Sequence, residues 1–177
     1  MKTGKITWWE IGLFVSGILI FGAGLKFEIH FLMQAGLMAA GTGLVAGGID
    51  TIITKRASFS SSSEGGGSYY HHTYTGLGAV SWGAFSILLG FGAFLGGLFW
   101  LLGLMTQVAE LIKARPGLWL IPVGIMAFFM GIHNLAGARE QRASFWSFLG
   151  SMPARIFGLA LTAAGVVMVV FGMGKLF

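Results

Sequence analysis

The chain has 177 residues, 55% of them hydrophobic and only 10% charged, with 30 glycines, 3 prolines and no cysteine. Soluble domains carry about 25% charged residues, so six acids and eleven bases are too few to cover a water-facing surface. Together with apolar runs of membrane-spanning length, this excludes a soluble enzyme, a disulfide-stapled secreted module and a disordered chain. The formal charge of +5 comes from bases set singly between apolar runs. No basic aromatic face forms, so nucleic acid is not an expected partner. The lack of cysteine removes thiolate metal sites, disulfides and thiol redox chemistry together.

A spanning helix needs about 20 apolar residues, and five segments qualify. The first, Trp8 to Leu25, follows Lys2 and Lys5 and contains the small-residue run Gly22-Ala23-Gly24. That is also the outline of a signal peptide, but the segment is read as a retained first span. The second runs from Ile29 to Ile53 after a very short Lys26–His30 connection, and a four-span form with a re-entrant first segment is its rival. The run from Ser58 to Ser68 is rich in Ser and Gly and contains Glu64, the composition of a flexible linker. Tyr69, Tyr70 and Tyr74 would anchor its end at the membrane interface.

The third segment, Gly76 to Met105, is the longest. As one helix it would reach about 45 Å against a hydrocarbon core of about 30 Å, so it must tilt, kink near Gly96-Gly97 or project. Gln107 to Ala114 reads as a short amphipathic piece closed by Pro116, and Gly117 to Ala136 is the fourth span. The 137–155 segment mixes Arg139 and Arg142 with Phe145, Trp146, Phe148 and Leu149, which suits a piece lying on the inner leaflet. Ala154 to Gly174 is the fifth span.

With five spans, Lys2, Lys5, Lys55, Arg56, Arg139, Arg142 and Arg155 share one side, and Lys26, Lys113, Arg115 and Lys175 the other. Seven bases against four place the N-terminus in the cytoplasm and the C-terminus outside, in what is expected to be a bacterial cytoplasmic membrane. Arg56, Arg139, Arg142 and Arg155 are then expected to meet lipid headgroups.

One pattern recurs four times: Gly-Leu, with a second Gly seven residues after the first. It joins Gly36 to Gly43, Gly76 to Gly83, Gly117 to Gly124 and Gly158 to Gly165. A further step of seven reaches Gly90, Gly131 and Gly172, but Asp50 in the first copy. Separately, Arg56-Ala57-Ser58-Phe59 recurs as Arg142-Ala143-Ser144-Phe145, and Gly48-Ile49-Asp50 corresponds to Gly131-Ile132-His133. The expectation is two tandem helical hairpins, segments two with three and four with five, related by an axis along the membrane normal. Glycines seven apart fall on one stripe of a helix. Because lipid tails are as apolar as Leu, close approach at small residues is what holds such helices together.

Asp50 and His133 occupy matching positions of the two hairpins. In the plainer reading both are solvated at headgroup level. Across a pseudo-twofold they would instead form a polar cluster, with a His beside a carboxylate titrating near neutrality. A proton or ion path needs a ladder of polar groups, which segments three and five do not supply. His30 falls at a helix end and His71-His72 in a loop, so a haem or pigment ligand would fall to His133 alone. No nucleophile–base spacing or metal-binding spacing occurs, and no enzyme active site is expected.

The Gly-rich helix pairs resemble the small membrane proteins of the HdeD acid-resistance type. The likeness rests on Trp8-Trp9, Gly17, Gly43 and Gly47-Gly48-Ile49. It is one of glycine spacing over the first half of the chain. That family is expected to have six spans against five here, and no function is carried across.

The expected architecture is an all-α, polytopic integral membrane helix bundle of about five transmembrane helices, with glycine-rich heptad packing and a tandem hairpin repeat. It forms one domain over 1–177, with a leading helix at 1–28 and hairpins at 29–105 and 106–177. The expected function is that of a non-catalytic accessory or structural subunit, packing through glycine seams against itself or a larger membrane complex. A small transporter or channel with a pathway near Asp50 and His133 is the alternative, and a pigment- or haem-carrying subunit using His133 is the second. Bound lipids are expected and no cofactor is.

Overall fold

The structure is a computed structural model that describes residues 8–62, 69–140 and 145–176, with side chains described at 9–57, 74–136 and 153–176. In chain order the elements are α1 (Trp8–Phe27), α2 (His30–Thr54), β1 (Arg56–Ser62), β2 (Tyr69–Thr75), α3 (Leu77–Leu101), α4 (Met105–Ala114), α5 (Gly117–Glu140) and α6 (Phe145–Met173). Five of these helices, all but α4, are long and apolar enough to cross a membrane, as an integral membrane protein requires.

The breaks between helices have local causes. Glu28, with φ of 55°, ends α1, and the Ile29 N–H returns to the Gly24 carbonyl at 2.9 Å. The chain thereby reverses within two residues, and α1 runs back along α2 as a helix of 20 residues rather than a shallow loop. α3 stops at Leu101 because Gly103 takes a left-handed φ of 70°. The Leu104 N–H then reaches back to the Phe99 carbonyl at 2.8 Å, a glycine-dependent C-terminal cap. The thirty-residue third segment therefore divides into a 25-residue span and the separate α4. On α4, Val108 and Ile112 are half-buried while Glu110 and Lys113 face outward.

Two expectations are corrected here. The described part of the Ser/Gly stretch, up to Ser62, is a strand of an antiparallel hairpin, with Arg56 paired to Thr75 and Ser62 to Tyr69. The hairpin's base is closed by the Gly76 N–H on the Lys55 carbonyl at 3.1 Å. The described parts of the 137–155 stretch are not a separate helix. They continue α5 to Glu140 and begin α6 at Phe145.

The helices pack in a row: α1 on α2, α2 on α3, α3 on α5 and α5 on α6. A twofold relating the two hairpins would match the α3–α5 contact with one between α2 and α6. Among the described residues α2 and α6 share no packed face, so the two hairpins meet along one edge only.

Within each hairpin, glycines face glycines. A Cβ built on Gly41 would lie 2.5 Å from the Gly90 carbonyl oxygen, and one on Gly48 2.7 Å from that of Gly83. In the second hairpin a Cβ on Gly124 would lie 2.8 Å from the Gly165 oxygen, and one on Gly131 2.7 Å from that of Gly158. Gly117 meets Gly172 one heptad further on. Real Cβ atoms do not come so close, so each site admits only hydrogen at this helix spacing.

Several expected packing glycines lie elsewhere. Gly36 and Gly43 face α1, where a Cβ on Gly43 would come 2.7 Å from the Phe14 nitrogen. The α2 stripe toward α3 is Gly41 and Gly48, offset from the expected one, because α2 has two neighbours and needs a small-residue stripe for each. Gly76 packs against nothing: it sits in the turn before α3 with φ of 59° and open space around it. The α3 stripe instead continues to Gly97, which closes on the Gln34 carbonyl.

Candidate functional site

Polar side chains gather at the end of the row where α1 begins, α2 ends, α3 begins and α5 ends. The β-hairpin lies there too. Most threonine and asparagine side chains near it bond to their own helices. Thr51 Oγ1 donates to the Gly47 carbonyl at 2.7 Å, Thr54 Oγ1 to that of Asp50 at 2.8 Å, and Asn134 Nδ2 to that of Met130 at 2.8 Å. This i−4 bonding satisfies a hydroxyl or amide in an apolar setting without a partner from another helix.

His133 does reach across. It is 7% exposed, and its Nδ1 lies 3.0 Å from the Gly78 carbonyl oxygen on α3. A carbonyl only accepts, so Nδ1 carries the proton and donates. The ring lies 4.6 Å from that of Tyr74 and 5.1 Å from that of Trp82, centroid to centroid. α5 is thus tied to the first turn of α3 and to the last residues of β2.

Asp50 is half-buried on α2, two residues beyond Gly48, as His133 is two beyond Gly131. The positions match along their helices, but α5 packs on α3, not on α2. The structure gives His133 a carbonyl and two aromatic rings as neighbours and does not bring Asp50 to it. Arg56 is exposed on β1 and Arg155 half-buried on α6. The side chains of Arg139 and Arg142 lie outside the described residues, as do those of His71 and His72. His30 lies at the opposite end, 6.1 Å from the Trp100 ring. Among the described residues no three of His, Asp and Glu come together as a metal site would require.

The residue that sequence reasoning missed is Glu10. It is 6% exposed on α1, and its Oε2 is buried with no hydrogen-bond partner. It lines a cavity of about 190 Å³ with Phe14, Gly47, Thr51, Trp82 and Ser86 among its walls. Trp82 therefore serves two places, as a wall of this cavity and as a neighbour of His133. The signal was available: Glu10 is the single charged residue between Trp8 and Leu25. An acid in the first turn of a helix, where the dipole favours it, passes as ordinary.

No family model, curated protein or solved structure matches the chain. The glycine-spacing likeness to the HdeD type therefore gains no support, and function has to be argued from the chain's own geometry.

Proposed function

We propose that the chain is a non-catalytic integral membrane subunit that works by associating, with a second copy of itself or within a larger membrane complex. The observation that carries this reading is the open row of helices. Its accessible surface is 11477 Å², where a compact globular chain of 18.8 kDa would expose about 8,300 Å². Among the described residues α1 packs on α2 and α6 on α5, with no second extensive neighbour for either. α6 turns Ile156, Phe157, Val167 and Phe171 outward, each more than half exposed. Ala160, Ala163 and Ala164 lie among them on the exposed surface, and small residues of this kind let another helix approach.

The glycine stripes themselves are occupied within the chain, so association falls to the outer faces of α1 and α6. The paired stripes also support the tandem-repeat reading. Gly41 and Gly48 stand to Gly90 and Gly83 as Gly124 and Gly131 stand to Gly165 and Gly158. The first hairpin carries the β-strands in its connection, which accounts for its longer Gly48-to-Gly83 interval. The bases support an N-terminus in the cytoplasm.

Native mass spectrometry from mild detergent tests the assignment. A subunit is expected as an oligomer or with co-purifying membrane chains. A monomer that alone retains full stability overturns it.

A further inference from the structure

We propose that the cavity between α1, α2 and α3 is a binding site for a small organic ammonium group, with Glu10 as its counter-ion. A carboxylate taken out of water is costly unless a charge or hydrogen bonds compensate it. Glu10 keeps only 6% of its surface exposed, and its Oε2 meets no donor. The pocket it lines measures about 190 Å³. A water occupies about 30 Å³ in the liquid, and drug-sized ligands take about 300 Å³ or more. That volume suits a small organic group or an ion with about five waters and is less than a typical cofactor needs, so the walls decide between them.

The walls select the chemistry. Phe14 and Trp82 are among the walls, and aromatic rings attract a cation and suit its alkyl part, Trp most strongly. Thr51 spends its proton on the Gly47 carbonyl, which leaves its oxygen lone pairs to accept from an N–H. Among the described residues no second acid or histidine lines the cavity with Glu10, so a divalent metal would lack ligands. A monovalent ammonium needs one carboxylate and an apolar surround, and that is what the cavity holds. The same group reaches a membrane protein from two sources, as a free amine in water or as the headgroup of an ethanolamine lipid. Glu10 lies in the first turn of a spanning helix, at a depth open to either.

The test titrates propylammonium chloride into the full-length protein in phosphatidylcholine nanodiscs by calorimetry, at constant ionic strength. Saturable binding is expected, weakened at least tenfold in Glu10→Gln, severalfold in Trp82→Phe and not at all in Glu110→Gln on the exposed face of α4. Should Glu10→Gln fail to fold, Trp82→Phe against Glu110→Gln carries the comparison. Nanodiscs containing phosphatidylethanolamine separate the sources. Competition by the lipid identifies the headgroup, and unchanged binding identifies the free amine. Equal binding by wild type and Glu10→Gln overturns the proposal, and so does equal competition by sodium chloride. It is also overturned if wild type does not bind.

Discussion

Gly47 and Gly76 both have open space where a side chain would begin, yet replacing them should have opposite effects. Gly47 is helical, and Ala there removes a flexible residue from a helix interior, a gain of about 0.5–1 kcal/mol. Gly76 has φ of 59° and ψ of −126°, a region that a Cβ makes costly, so Gly76→Ala should lose about 1–3 kcal/mol. Thermal unfolding in one detergent should therefore rank Gly47→Ala above wild type and Gly76→Ala below it. Gly76 was expected in a helix stripe because its Gly-Leu spacing matches the others. Spacing does not record φ, and the same residue type serves a turn as readily as a seam. His133 was legible as an outlier in an apolar segment but its role was not. Its partner is a backbone carbonyl, which no sequence pattern marks. His133→Leu should cost about 1 kcal/mol through the lost Gly78 bond, read as a lower unfolding midpoint. An unchanged midpoint would mean that the bond contributes nothing to holding α5 on α3.

At the level of the helix pair, the glycine seam and the leucines around it should respond differently to mutation. Leu at Gly124 or Gly165 would have to displace a facing backbone, since even a Cβ at Gly165 falls 2.5 Å from the Gly124 oxygen. Each should cost ~3 kcal/mol, the upper part of the overpacking range. Leu161 is only half-buried, and lipid replaces much of what it touches. Leu161→Ala should therefore cost ~1 kcal/mol, below the range for fully buried leucines. Equal stabilities for the three variants would remove the seam as the source of packing energy. The spans themselves were legible because lipid demands about 20 apolar residues in succession, a requirement written in composition. The seven-residue glycine spacing was visible in the sequence, though on α2 the stripe facing α3 is Gly41 and Gly48 rather than Gly36 and Gly43. The neighbour that each stripe faces was not visible, since a helix between two others carries two stripes and periodicity does not name the partner. The β-hairpin was misread from Ser and Gly, although Tyr69 to Thr75 is a run of aromatic, His and Thr residues in which the strand formers Tyr and Thr predominate.

At the scale of the whole molecule, the row geometry turns the orientation question into an experiment with few free choices. Consecutive spans alternate in direction, so one labelled position on each side fixes the rest. The absence of cysteine means that a single introduced thiol reports alone. Lys26, Arg56, Lys113 and Lys175 are all exposed and stand at connections or at a helix end. If the seven bases set against four fix the topology, a membrane-impermeant maleimide should label Lys26→Cys, Lys113→Cys and Lys175→Cys in intact cells. Arg56→Cys should be labelled only after lysis. The reverse pattern would invert the molecule while keeping every helix contact. A third pattern, with Lys26→Cys protected alongside Arg56→Cys, would mean that α2 does not cross, because the two positions flank its 25 residues. α1 packs along α2 at Gly17–Gly36 and Phe14–Gly43. Those approaches are comparable to the ones between the other helices, so α1 is expected to cross with α2 and Lys26→Cys to be labelled from outside.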